Sequence, residues 1–257
     1  MSRHALILDC DGVLADTEKD GHLVAFNQVF AEFGYPFRWS EDEYADLLKV
    51  GGGKERMRYY LSQHPEIEVP GSDDLDALLA QVHQQKSADY QEIVHRGLIP
   101  GRPGIKRLVE EALDAGWEVA IASTSAVSSV EAVAVAVFGQ ATHDRLSGIF
   151  GGDIVPAKKP APDIYLYALE QLGLQPSQAV VVEDSESGAK AAEAAGIAHI
   201  VTVSHFTADD PFPAAVAVVE NLGEPGSPAV LLAGEDVRDS RGVIGLESLE
   251  RIARANA

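Results

Sequence analysis

The sequence predicts an α/β protein: a doubly wound, Rossmann-like parallel sheet with a helical cap inserted after the first strand. Three observations carry this. Five short apolar runs, rich in valine and isoleucine, read as strands buried on both faces, as in parallel sheets. From residue 97 onward helical stretches alternate with them. Between residues 17 and 96 the alternation stops and only helical patterning is found.

The first strand is predicted at 5–8 and runs into Asp9-Cys10-Asp11-Gly12. The inserted segment predicts helices at 21–33, 41–49, 54–64 and 73–94, interrupted by Pro65, Pro70 and Gly71. The chain returns through the turn-rich Pro100-Gly101-Arg102-Pro103-Gly104. A helix at 105–115 stops at Gly116, and strand 118–123 follows. Ser128 and Glu131 predict a capping box for the next helix. Helices at 164–172 and 189–195 end at Gly173 and Gly196, and strands are expected at 179–183, 199–204 and 215–219. The expected division is 1–16 with 97–223 as the core, 17–96 as the cap, and 224–257 as an extension ending in an amphipathic segment.

At 257 residues and 46% hydrophobic, the chain can bury a full core. Its formal charge of −20 predicts repulsion of nucleic acid and anionic membranes. An anionic substrate therefore needs a local positive cluster. No apolar run is long enough to span a membrane, and the start of the chain does not read as a signal peptide. The single cysteine, Cys10, excludes an internal disulfide, fits a cytoplasmic protein, and is expected to pack on the far face of its strand. A monomer is expected.

Four strand ends or loops carry polar groups of the kinds that suit chemistry on an anionic group. Asp9 and Asp11 project to one side of the first strand, and two carboxylates so placed are tolerable around a cation or a transferable proton. The second strand delivers Ser123, with Thr124 and Ser125 after it. A loop carries Lys158 and Lys159 before Pro-Ala-Pro-Asp. A further strand delivers Glu183 and Asp184, with Ser185 as a helix cap and Gly188 allowing close backbone approach. Ligands bind at the carboxyl ends of such strands, so topology brings these scattered groups together.

Asp9-Cys10-Asp11-Gly12-Val13-Leu14, Ser123, Lys159 within Lys-Pro-Ala-Pro-Asp, and Glu183-Asp184 together resemble the four motifs of the haloacid-dehalogenase-like hydrolase superfamily. With Asp16-Thr17-Glu18 and the segment 48–56, the chain is most similar to its CbbY-type sugar-bisphosphate phosphatases. The resemblance implies a Mg²⁺-dependent phosphatase of small sugar phosphates, with xylulose 1,5-bisphosphate as the expected substrate. Asp9 would be the nucleophile and Asp11 the general acid and base. Ser123 and Lys159 would hold phosphate oxygens, with Lys158 the rival lysine. Mg²⁺ would bind in the Asp9, Asp11, Glu183 and Asp184 group, Asp11 through its backbone carbonyl. Thr124 and Ser125 are expected beside the substrate. Glu18, Lys49, Gly51, Gly52, Gly53, Lys54, His83 and Lys86 are expected on the sugar and its second phosphate, a glycine-rich turn before a helix being an anion site. Arg56 and Arg58 are expected to face solvent.

Other readings are a β-phosphoglucomutase-like mutase, a phosphoglycolate-like phosphatase, a 2-haloacid dehalogenase and a phosphate-accepting receiver. Mutases of that type place a histidine where Gly21 stands here, with His22 beside it. The dehalogenase does not require the second aspartate, and receivers are about half this length and lack a cap.

Overall fold

The structure, a computed structural model, describes residues 3–50, 52–71, 74–152 and 154–256. The chain divides into two compact units, Met1–Asp16 with Pro100–Ala257, and Thr17–Ile99.

The first unit opens with β1 (Ala5–Leu8), whose four residues are all buried. The chain then enters the inserted unit through a π-helical segment, Glu18–Leu23, that continues into α1 (Val24–Glu32). The sequence predicts one helix over 21–33; it is α-helical only from Val24, and π-helical segments are often found at functional sites. Next come α2 (Glu41–Leu47), α3 (Gly53–Gln63) and α4 (Leu75–His95). The predicted start of the last at Asp73 lies outside the described residues. Ser40 and Glu43 exchange side-chain and backbone bonds that start α2. An aromatic core holds this unit: Trp39 lies 4.8 Å from both Phe26 and Phe30, ring centre to ring centre.

After the return, α5 (Ile105–Asp114), β2 (Glu118–Ala122), α6 (Val127–Phe138), a short α7 (Gln140–His143) and β3 (Gly148–Phe150) follow. Then come α8 (Asp163–Leu172), a 3₁₀ turn over Pro176–Gln178, β4 (Ala179–Glu183), α9 (Glu186–Ala194), β5 (Ala198–Thr202), β6 (Ala217–Val219), β7 (Leu231–Gly234) and α10 (Leu246–Ala255). The sheet has seven strands in the order β3-β2-β1-β4-β5-β6-β7. Its pairs are parallel from β3 to β6, and β7 adds antiparallel to the edge. This is the doubly wound α/β arrangement, with β1 inside the sheet and its end beside those of β2 and β4. Leu8 pairs with Ile121 and Val182, so the residues just after each face the same edge.

One expected helix cap differs, and two strands are additional. Helix α6 begins at Val127, and its N-cap, Ala126, has extended backbone and no side-chain bond. Ser128 is therefore already inside the helix, and the predicted capping box does not form. The sequence predicts neither β3 nor β7. The extension is ordered: β7 joins the sheet, and α10 packs against α5 and β4.

Candidate active site

β1 delivers Asp9, whose backbone N–H still donates to Val182 on β4 at 3.0 Å. Asp9 is buried, and Lys159 Nζ reaches its Oδ1 at 2.5 Å. The same ammonium donates to Glu183 Oε1 at 2.7 Å and to the Ala122 carbonyl at 3.0 Å. One cation thus spans the ends of β1, β2 and β4. Lys158 is exposed, and of the two lysines it is Lys159 that meets Asp9. Tyr165 on α8 also donates its hydroxyl to Glu183 Oε1, and the Asp184 backbone N–H donates to Oε2 at 3.2 Å. The Glu183 carboxylate is fully buried and engaged at both oxygens. A Cβ added to Gly188 would lie 2.0 Å from it, so only glycine lets the first turn of α9 pass this close. Ser185 caps that turn by accepting from Gly188 N at 3.2 Å.

Gly12 makes the turn after Asp11 with φ +81°, a conformation glycine favours. A Cβ there would fall 2.0 Å from Asp184 Oδ2. The Ser204 side chain favours the charged form of Asp184, and its hydroxyl lies 2.9 Å from Thr207 Oγ1. Ser123 is buried at the end of β2, its backbone N–H on the Phe150 carbonyl at 2.9 Å and its Oγ accepting from Ser125 N at 3.1 Å. Ser125 donates its hydroxyl to Asp11 Oδ2 at 2.6 Å and so orients that carboxylate. Thr124 is exposed beside it. Cys10 is buried and free; burial pushes its thiol up, as suits a packing residue.

Asp9, Glu183 and Asp184 place carboxylate oxygens within 4.8 Å of one another. Burial, with Glu183 and Asp11 adding to it, outweighs Lys159 and pushes Asp9 from 3.8 up to about 8. Burial, then Asp9 and Glu183, raise Asp184 well above the usual carboxylate range. Burial disfavours the Lys159 ammonium, but Asp9 and Glu183 more than restore it and raise it well above its ordinary value. Fully ionised, the three carboxylates would carry more buried negative charge than the lysine cancels. Hard oxygen donors gathered this way suit a divalent cation such as Mg²⁺.

The other candidates belong to the inserted unit. Glu18 accepts from Tyr44 OH at 2.6 Å, and Arg56 donates to that same hydroxyl at 2.7 Å and to the Leu47 carbonyl at 3.1 Å. Arg56 is buried, contrary to expectation, because these acceptors satisfy it inside the unit. Arg58 is half exposed and pairs with Asp76. Lys86 is buried, 2.7 Å from His22 Nδ1 and over the Phe26 ring. His83 packs so closely on the start of α3 that a Cβ on Gly53 would lie 2.6 Å from its ring. Burial, then Lys86 and Lys54, holds the His83 imidazole below its ordinary value. Lys54 is exposed beside Gly53, and Gly52 precedes the helix with φ +93°. Lys49 stands apart, exposed and paired with Asp46 at 2.7 Å. Gly51 lies outside the described residues.

Sequence reasoning missed Arg102, Tyr165 and Ser204. Their partners lie 18 or more residues away, so no local signal marks them.

A family model described as haloacid dehalogenase-like hydrolase matches residues 4–196. The chain is 45% identical over 223 residues to a CBBY-like protein of Arabidopsis thaliana, covering 86% of this chain and 70% of that one. It is 43% identical over 224 residues to the plasmid-encoded CbbY of Cupriavidus necator, covering 87% of each. The crystal structure of a CbbY variant from Rhodobacter sphaeroides, in complex with xylulose 1,5-bisphosphate, superposes with a TM-score of 0.73 at 36% identity, covering 88% of this chain and 97% of that one.

Proposed function

This chain belongs to the haloacid dehalogenase-like hydrolases and is a phosphatase, and on that premise we propose that its substrate is a sugar bisphosphate, xylulose 1,5-bisphosphate in particular. The observation that carries the chemistry is the buried Asp9–Lys159–Glu183 chain beside Asp184 at the strand ends. The likeness to a CbbY protein solved with that bisphosphate supports the substrate.

An Asp9 carboxylate oxygen attacks phosphorus while the bond to the sugar oxygen breaks, leaving an aspartyl-phosphate. Asp11, oriented by Ser125, gives its proton to the departing oxygen and then takes one from the water that attacks the aspartyl-phosphate. Phosphate leaves, and both carboxyl groups are restored. Ser123 and Lys159 hold the remaining phosphate oxygens. Glu183 and Tyr165 keep Lys159 charged and aimed. Mg²⁺, held by Asp9, Asp184 and the Asp11 carbonyl, would neutralise charge between the attacking carboxylate and the phosphate. Lys54, with the backbone of Gly52 and Gly53, takes the second phosphate, and Glu18, His83 and Lys86 serve the sugar end.

The mutase reading is disfavoured by Gly21. It is buried, and a Cβ there would lie 2.6 Å from Ile99 Cδ1 and 2.8 Å from Tyr90, so a side chain there would have to displace both. His22 instead stacks on Tyr90, ring centres 3.9 Å apart.

Phosphate release from xylulose 1,5-bisphosphate and from its monophosphates tests the proposal. The bisphosphate should give the higher kcat/KM, and Lys54→Ala should cut it about ten- to a hundredfold, since a charge-assisted contact contributes about 1.5–3 kcal/mol. The monophosphates should lose far less. Equal losses on both would reduce the reading to a general sugar-phosphate phosphatase; an isomeric phosphate product would restore the mutase.

A further inference from the structure

We propose that Arg102 is a positioning residue for Asp184, holding both walls against which that carboxylate is set. The inference rests on the reading of Asp184 as a Mg²⁺ ligand. The guanidinium makes four hydrogen bonds, all to backbone carbonyls. Nη1 donates to Gly12 and, at 3.0 Å, to Thr202. Nη2 donates to Val203 and to Glu220, each at 2.6 Å. Thr202 is the last residue of β5, and Glu220 directly follows β6. Gly12 is the residue whose added Cβ would strike Asp184 Oδ2, and Ser204, one residue past Val203, is buried and its side chain favours the charged form of Asp184. One planar fork therefore fixes the turn that follows Asp11 and the strand end that carries Ser204. A lysine ammonium has three donors and no plane, so it cannot span the same four acceptors.

Position and charge act here with opposite sign. The guanidinium charge near Asp184 opposes a bound cation, whereas the bonds to Gly12, Thr202 and Val203 keep the ligand where a cation can use it.

The test measures Mg²⁺ binding by calorimetry without substrate, together with thermal unfolding, kcat and KM, for Arg102→Met, Arg102→Lys and Asp184→Asn. Loss of a residue that supports a ligand typically costs ten- to a hundredfold in metal affinity, so Arg102→Met should weaken Mg²⁺ binding by about that factor. Its kcat at saturating Mg²⁺ should fall comparably with KM within about threefold, and Arg102→Lys should lie between. A folded Arg102→Met that binds Mg²⁺ like the parent would make Arg102 mere structural glue. One that binds more tightly would leave only its charge. Either result overturns the inference. If Arg102→Met does not fold, Arg102→Lys decides: weaker binding supports the inference, and unchanged or tighter binding overturns it. Unchanged binding in Asp184→Asn would sink the ligand assignment itself, whatever the Arg102 variants show.

Discussion

Gly12 and Asp184 show how tightly this centre is set. A methyl group at position 12 would overlap Asp184 Oδ2, and φ +81° would strain any side chain there. Gly12→Ala should therefore lower stability by about 1–3 kcal/mol, the range for a strained backbone position, and weaken Mg²⁺ binding besides. Urea unfolding and calorimetry read the two effects, and parental values in both would show that Asp184 can yield. Asp9→Asn asks about the nucleophile. Turnover should fall by about three orders of magnitude or more while the circular dichroism spectrum stays unchanged, because a neutral amide is no nucleophile. Activity within about tenfold of the parent would remove Asp9 from that role. The carboxylates, Ser123 and the lysine pair are legible in the sequence because they follow apolar strands or precede a helix. Tyr165 is not, because its role is set by Glu183, which lies on another element. Arg56 misleads for a related reason. A basic residue in an acidic chain reads as surface, and only the fold brings it Tyr44 and the Leu47 carbonyl.

Strands buried on both faces leave a plain trace, and β1, β2, β4 and β5 stand within a residue or two of their expected positions. β7 leaves none: it is an edge strand with three exposed residues of four, ending in glycine, so neither an apolar run nor alternation marks it. β3 is three residues long, too short for a pattern. The amphipathic helix α10 is legible as such, but its partner is not. Leu249, Ile252 and Ala253 are buried on it, and it packs against α5 and β4. Leu249→Ala should then cost about 2–5 kcal/mol, as large-to-small changes in a core do. KM for substrate should hold, since α10 carries none of the assigned site residues. A loss below about 0.5 kcal/mol, the usual effect of a surface substitution, would mean that the extension is not part of the core.

With a formal charge of −20, the protein still buries three carboxylates around one lysine, so its stability should depend on protons and on Mg²⁺ together. Asp9 is pushed from 3.8 to about 8 and Asp184 well above its ordinary value, both first by burial. Between those limits the folded protein holds protons that the unfolded chain has released. The unfolded state then binds fewer protons, so without Mg²⁺ this centre's contribution to stability falls as pH rises through that interval. It is unchanged below the ordinary carboxylate value, where both states are protonated. Mg²⁺ takes the place of those protons, so they compete with it less as pH rises and its effective affinity grows. Ligand-linked stabilisation follows RT ln(1 + [L]/Kd), so the rise in Tm from a few millimolar Mg²⁺ over EDTA should be larger at about pH 8 than at about pH 6. Asp9→Asn, which removes one of the two shifted carboxyl groups, should reduce the difference. A Tm rise that is equal at both pH values, or smaller at the higher one, would mean that the buried carboxylates are not the groups Mg²⁺ meets.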